Sequence, residues 1–315
     1  DHTVRYVQMV TLHPPAAHLS PAAQAFLRDA PPPPETCDYS DLAVVTALRA
    51  EIDPIWAAEA AKLDMAWVSR EEFHGGVRCV RYAGTEAALD KTSVLVHFHG
   101  GSYIFGSPEA NAALAIPVAV HAGVPVVSVD YRRAPEHRCP AAIHDAVAVV
   151  CALAVDHHVI GMYGESAGGG LAVSTAVALR DAGHGMPDRI GLLSPWVDLT
   201  ISGDSHQTLI DADPDFGDPA DPPALSAAYA GDDTADPQAS PLFAELSGLP
   251  PVLTQVGSRE ILLSDACRLD QALRRSGVDS TLDIWDGLWH IWQLFPELPE
   301  SGQALREMAD FLTGR

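Results

Sequence analysis

Apolar residues follow two different rhythms along this chain. Over the first sixty positions they recur at helical spacing. Ser20-Pro21 sets a capping hydroxyl before a proline at the first helical position, and AAQAFLRDA follows. Pro31, Pro32, Pro33 and Pro34 should end that helix. Ser40 then opens a second helical stretch, with Val45, Leu48 and Ile52 on one face. From about Met65 the rhythm changes to short β-runs separated by helical segments. Residues 77–82, 93–98, 124–130, 159–163, 190–193, 252–256 and 281–285 read as strands. Segments 112–121, 141–155, 170–182 and 262–275 read as helices between them. Such alternation predicts an α/β fold, a mostly parallel sheet covered by helices on both faces.

One segment breaks the alternation. From Leu199 to about Phe243 the chain is rich in Asp and Pro (DADPDFGDPADPP) and lacks a strand pattern. Long excursions inside a compact domain are usually functional, often lids. Its Asp211-x-Asp213-x-Asp215 run superficially suggests calcium. An EF-hand loop needs Gly at its sixth position and Glu at its twelfth, where Phe216 and Pro222 stand. A solvated acidic loop is the expectation there.

With 315 residues the chain can bury about 75% of its unfolded surface, and 47% apolar against 19% charged residues indicates a globular protein. No apolar run reaches the length of a spanning helix. Residues 1–10 contain neither a basic nor an apolar leader region, so the cytoplasm is the expected compartment. Cys37, Cys79, Cys139, Cys151 and Cys267 are odd in number and without CxxC spacing, so they predict thiols rather than a disulfide framework or zinc site. The fourteen histidines are scattered, and no metal is expected. A net charge of −23, with Lys62 and Lys91 as the lysines, argues against nucleic acid or an anionic membrane as partner.

The strongest chemical signal is Gly164-Glu165-Ser166-Ala167-Gly168, placed where a strand ends and a helix begins. A turn that tight admits only small residues beside the serine, and it lifts the hydroxyl above the sheet at a helix N-terminus. Upstream, His99-Gly100-Gly101-Ser102 directly follows the strand VLVHF. Backbone N–H groups there, with that of Ala167, could form an oxyanion hole. A serine needs a base, and the base an orienting carboxylate. His290, in Trp289-His290-Ile291-Trp292 after the last strand, is favoured over His184 and His206. After the strand PPVLTQVG come Glu260 and Asp265; Glu260, nearer the strand end, is the first choice of acid and Asp265 the alternative.

These motifs, in order, resemble the hormone-sensitive-lipase-like (bacterial family IV) carboxylesterases over about Ser93 to His290. They are HGGSYIFGS, DYRRAPEH, GESAGGG, SPWVDLT, SPLFAELSGLPPVL and the Glu260 and His290 segments. The resemblance implies an α/β-hydrolase core with an eight-stranded sheet under a helical cap. Residues 1–60 and 199–245 would form the cap, and 61–198 with 246–315 the core. It puts a triad on Ser166, Glu260 and His290 and oxyanion donors on Gly100, Gly101 and Ala167. Two departures stand out: Ser102 replaces the usual third glycine, and Glu260 stands where Asp is common. Asp130-Tyr131-Arg132 is expected to support the active-site loop rather than to react.

The expected function is hydrolysis of short- to medium-chain esters through an acyl-enzyme, without a cofactor. Trp196, Trp289 and Ile291 are expected to wall the pocket. A small ester is the expected partner, and a homodimer is compatible with the sequence. Two alternatives stay open: the same triad acting on amides, lactones or carbamates, and a receptor that keeps the fold without the chemistry.

Overall fold

The computed structural model describes residues 13–30 and 36–315. The expected stop at Pro31 to Pro34 and the leader-free start therefore lie outside the described residues. Helix α1 (Pro21–Asp29) begins as its sequence dictates, with the Ser20 hydroxyl accepting the N–H of Ala23. Helix α2 (Leu42–Glu59) is capped by Asp41, one residue beyond the expected Ser40. The strands are β1 (Val68–His74), β2 (Val77–Ala83), β3 (Ser93–Phe98) and β4 (Val126–Val129). They continue with β5 (His158–Glu165), β6 (Ile190–Leu193), β7 (Val252–Gly257) and β8 (Ser280–Trp285). The helices among them are α3 (Glu86–Leu89), α4 (Ala112–Ala122), α5 (Ala141–Asp156), α6 (Ala167–Asp181), α7 (Ser205–Thr208), α8 (Asp221–Ala230), α9 (Leu263–Arg275) and α10 (Pro299–Thr313).

The eight strands form one sheet in the order β1-β2-β4-β3-β5-β6-β7-β8, antiparallel through β1, β2 and β4 and parallel beyond. Strand β1 was not expected from sequence. Its VSREEFH is charged and largely exposed, the pattern of an edge strand shielded from further pairing rather than of a core strand. Helix α6 starts at Ala167 rather than at Gly170. Glycines 168, 169 and 170 weaken helix propensity, but each packs where a Cβ would strike Phe98, Pro195 or Trp196. Central strands β3 to β7 are buried on both faces, and apolar layers fill both sides of the sheet.

Parallel pairing brings successive strand ends to one edge. Phe98 lies beside Gly164, Glu165 beside Leu193, Leu193 beside Gln255, and Gly257 beside Trp285. The segments that leave these ends carry the HGGS motif, Ser166, Trp196, Glu260 and His290. Among the described residues no helix is long and apolar enough to cross a membrane.

Candidate active site

Ser166 sits between β5 and α6 with φ 53° and ψ −121°, a conformation costly for any residue with a side chain. The surroundings hold it there. Its N–H donates to the carbonyl of Leu193 and its own carbonyl accepts the N–H of Trp196, both at 2.9 Å. The flanking glycines are sterically required, since a Cβ on Gly164 would lie 2.4 Å from the Gly168 backbone and one on Gly168 1.9 Å from the Phe98 carbonyl. The Ser166 hydroxyl is 3.1 Å from Nε2 of His290. His290 comes from the loop after β8, is buried, and packs against the Phe216 ring in a tilted, edge-type contact with centroids 5.4 Å apart.

Behind the imidazole, Oε1 of Glu260 lies 3.6 Å from Nδ1 of His290, an ion-pair separation slightly long for a direct hydrogen bond. Neither atom has another hydrogen-bond partner among the described residues, so they face each other alone. The other Glu260 oxygen is fixed by the Ser194 hydroxyl at 2.8 Å and the Gly257 N–H at 3.0 Å. Burial pushes the Glu260 carboxyl well above the usual carboxylate range, against the pull of those two donors. Burial likewise pushes His290 down to about 4, opposed by the charges of Asp213 and Glu165. The alternative acid, Asp265, is engaged elsewhere. Its Oδ2 accepts the N–H groups of Val197 and Asp198, and its Oδ1 lies 2.9 Å from Nε2 of His206.

The HGGS loop follows β3, beside the serine turn. Gly101 has φ +106°, and a Cβ there would lie 2.4 Å from the Phe105 carbonyl, so glycine is obligatory. Expected as an oxyanion donor, Gly100 requires correction. Its N–H donates to Oε1 of Glu165 at 2.6 Å and is therefore spent inside the protein. The N–H groups of Gly101 and Ser102 have no such partner among the described residues, and Ser102 lines the cavity with Ser166. Ala167 is the first residue of α6, so its N–H has no acceptor within the helix. Tyr131 steadies the loop from below, as expected of its motif, by donating its hydroxyl to the His99 carbonyl at 2.6 Å and stacking on that ring.

A cavity opens beside Ser166, walled by Trp196, His206, Phe216, Leu225, Ile261 and Leu262 among others. Trp196 is thus where it was expected. Trp289 is not: its indole stacks on Phe26 of α1 at 4.3 Å, within an apolar cluster that includes Leu19, Leu27 and Trp292. Ile291 is not among the cavity-lining residues either. It holds a left-handed φ of 43° and donates its N–H to the Ser194 hydroxyl at 3.3 Å, bracing the His290 loop.

Three site residues escaped the sequence. Glu165, a variable position inside the GxSxG pattern, also receives Asn111 Nδ2 and His97 Nε2, each at 2.8 Å. His206 of α7 pairs with Asp265 across 59 positions. Asp213, expected in a solvated loop, is instead fully buried and accepts the N–H of Ile261, next to Glu260, at 3.0 Å. Burial beside Glu260 pushes its carboxyl up to about 7, although the His290 charge opposes this. The one clue was the apolar Pro214 and Phe216 interleaved with the acids. Among the described residues no group of three or more His, Cys, Asp or Glu side chains is placed to hold a metal.

Comparison with known proteins places this geometry. A family model described as the alpha/beta hydrolase fold matches residues 95–294. The chain is similar to an acetyl-hydrolase of Streptomyces hygroscopicus, 41% identical over 69% of this chain and 74% of the relative. It is also similar to an esterase of Acinetobacter venetianus, 35% identical over 75% of this chain and 82% of that one. Among solved structures, esterase E25 superposes with a TM-score of 0.87 at 28% identity, covering 96% of each chain. An esterase from the bacterial hormone-sensitive lipase family gives 0.81 at 30% identity, covering 99% of this chain and 98% of that one. The chain belongs to the α/β-hydrolase fold family and, within it, to the hormone-sensitive-lipase-like carboxylesterases.

Proposed function

We propose that this carboxylesterase works through Ser166 as nucleophile, His290 as base and Glu260 as orienting acid. The observation that carries the reading is the 3.1 Å contact between Ser166 Oγ and His290 Nε2 on a strained strand-to-helix turn. His290 takes the hydroxyl proton as Oγ attacks the ester carbonyl, and Glu260 favours the imidazolium that forms. The N–H groups of Gly101, Ser102 and Ala167 receive the oxyanion. Collapse expels the alcohol, which takes its proton from His290, and water then hydrolyses the acyl-enzyme by the same steps. Burial that keeps His290 neutral keeps it competent as a base.

Residues 199–245 and the N-terminal helices act as a cap over the site. Phe216, Pro222 and Leu225 of the excursion wall the cavity, and Tyr39 ties the N-terminal part to it through Asp221 at 2.5 Å. The largely apolar wall of Trp196, Phe216, Leu225, Ile261 and Leu262 supports esters with short to medium acyl chains. The cytoplasm suits the thiols of Cys79, Cys139, Cys151 and Cys267.

A p-nitrophenyl ester series from acetyl to dodecanoyl, with matched anilides, tests the reading alongside a fluorophosphonate probe. Turnover should peak at short acyl chains, and intact mass should show one adduct on Ser166. Replacing Ser166 by Ala should remove the adduct and lower kcat by about 10⁶. An unlabelled wild-type protein, or faster cleavage of the anilides, would refute it.

A further inference from the structure

A buried polar atom without a partner has given up its hydration for nothing, so each one calls for a reason. Among the described residues that carry such an atom, two also line the cavity holding Ser166: Trp196 and His206. The free atom of Trp196 is Nε1–H, a donor only. The free atom of His206 is Nδ1, on a side chain 4% exposed. Its character follows from the other ring nitrogen. Asp265 receives the N–H groups of Val197 and Asp198 on one oxygen and lies 2.9 Å from His206 Nε2 with the other, the arrangement of a carboxylate that accepts Nε2–H. In the neutral tautomer that this bond selects, Nδ1 is an acceptor. The ring's Cδ2 edge faces Gly203, where a Cβ would lie 3.1 Å away, so the opposite edge is the one left over. Otherwise the wall is largely apolar: Phe216, Leu225, Ile261 and Leu262.

We propose that Trp196 and His206 form a hydroxyl-recognition site, with Trp196 Nε1 donating to, and His206 Nδ1 accepting from, a hydroxyl carried by the ester substrate. A carbonyl would satisfy only the indole, and an ammonium only the imidazole. A hydroxyl both accepts and donates. The substrates are therefore small hydroxy esters. The inference rests on the proposed hydrolase reading and refines it.

Two isosteric substrate pairs decide the matter, each exchanging a hydroxyl for a methyl group. On the acyl side they are methyl 3-hydroxybutyrate, as separate enantiomers, and methyl 3-methylbutyrate. On the alcohol side they are 2-hydroxypropyl acetate and isobutyl acetate. In the wild-type enzyme kcat/KM for the hydroxy member of at least one pair should exceed its isostere by about tenfold or more, because a site built for a hydroxyl rejects the analogue that leaves its groups unpaired. In His206→Leu that ratio should fall towards one. His206→Gln should restore part of it, because an amide can donate to Asp265 and still present an oxygen. Trp196→Phe should lower it. A merely structural role would not move the ratio. Equal handling of both members of both pairs by the wild-type enzyme overturns the proposal, as it would if water filled the site, and needs no variant to fold. Failure to hydrolyse any of these esters would overturn the hydrolase reading and this proposal with it.

Discussion

Replacing Glu165 separates a structural account of the GxSxG turn from a purely local one. Its carboxylate accepts Gly100 N–H at 2.6 Å and the side chains of Asn111 and His97 at 2.8 Å, all within the buried interior. Glu165→Ala would strand three donors. At about 1–3 kcal/mol each the sum is about 3–9 kcal/mol, a large part of the 5–15 kcal/mol that holds a typical domain together. Glu165→Gln should behave differently. Its carbonyl can keep Gly100 and Asn111, and its amide can donate to His97 Nε2 if the His97 proton moves to Nδ1, 2.9 Å from the Ser128 hydroxyl. Gly100, Asn111 and His97 then each keep a partner, and the expected loss is about 1 kcal/mol. In urea unfolding the Ala variant should shift the midpoint down by about 1.7 M, taking a loss near 5 kcal/mol and a slope near 3 kcal/mol/M, while the Gln variant stays close to wild type. The freed Gly100 peptide should also loosen the HGGS loop and lower kcat of the Ala variant by about tenfold or more. Equal midpoints for the Ala and Gln variants would refute the reasoning.

Three further outcomes follow from the same contacts. Glu260→Ala should lower kcat by about 10⁴, whereas Asp265→Ala, which strands His206 and two backbone N–H groups, should lower the unfolding midpoint more than kcat; the reverse pattern would exchange their roles. Since only unprotonated His290 can act as base and burial pushes its pKa down to about 4, kcat/KM should hold from neutral pH to well below 6.5 and fall only as pH drops towards about 4; a midpoint at 6.5 or above would contradict the burial argument. Gly168→Ala would press a Cβ to 1.9 Å from the Phe98 carbonyl and should abolish folded, active enzyme, while Gly185→Ala, with nothing within 4 Å, should leave the melting temperature unchanged.

What the sequence disclosed, and what it withheld, follows from the range of the forces involved. The serine turn was legible because its requirements are local: a strand, two glycines that sterics demand, and a helix, all within ten residues. Ser93–Phe98 and Ile190–Leu193 were readable to the residue, because strands buried on both faces are continuous apolar runs. Strand β1 was hidden because an exposed edge is selected for charge rather than for alternation. The onset of α6 was misjudged because glycine's poor helix propensity is overruled by backbone atoms of Phe98 and Trp196, which no local pattern reports. Gly100 was assigned to the oxyanion for the same reason: the carboxylate that claims its N–H is 65 positions away.

Partner choice at such distances is a property of strand order. Because β3 lies beside β5 with Phe98 level with Gly164, the loop after β3 must lie against the serine turn, and a carboxylate at 165 meets the amide at 100. With Leu193 beside Gln255, Ser194 is carried to Glu260; with Gly257 beside Trp285, the loop holding His290 comes next to the Glu260 loop. The excursion after β6 then has one place to go, across those loop ends, and this turns Asp213 inward to the N–H of Ile261 instead of leaving it in water. An acidic residue in a Pro-rich loop reads as solvated only while its neighbours are taken from the chain; taken from the sheet order, they are Glu260 and His290.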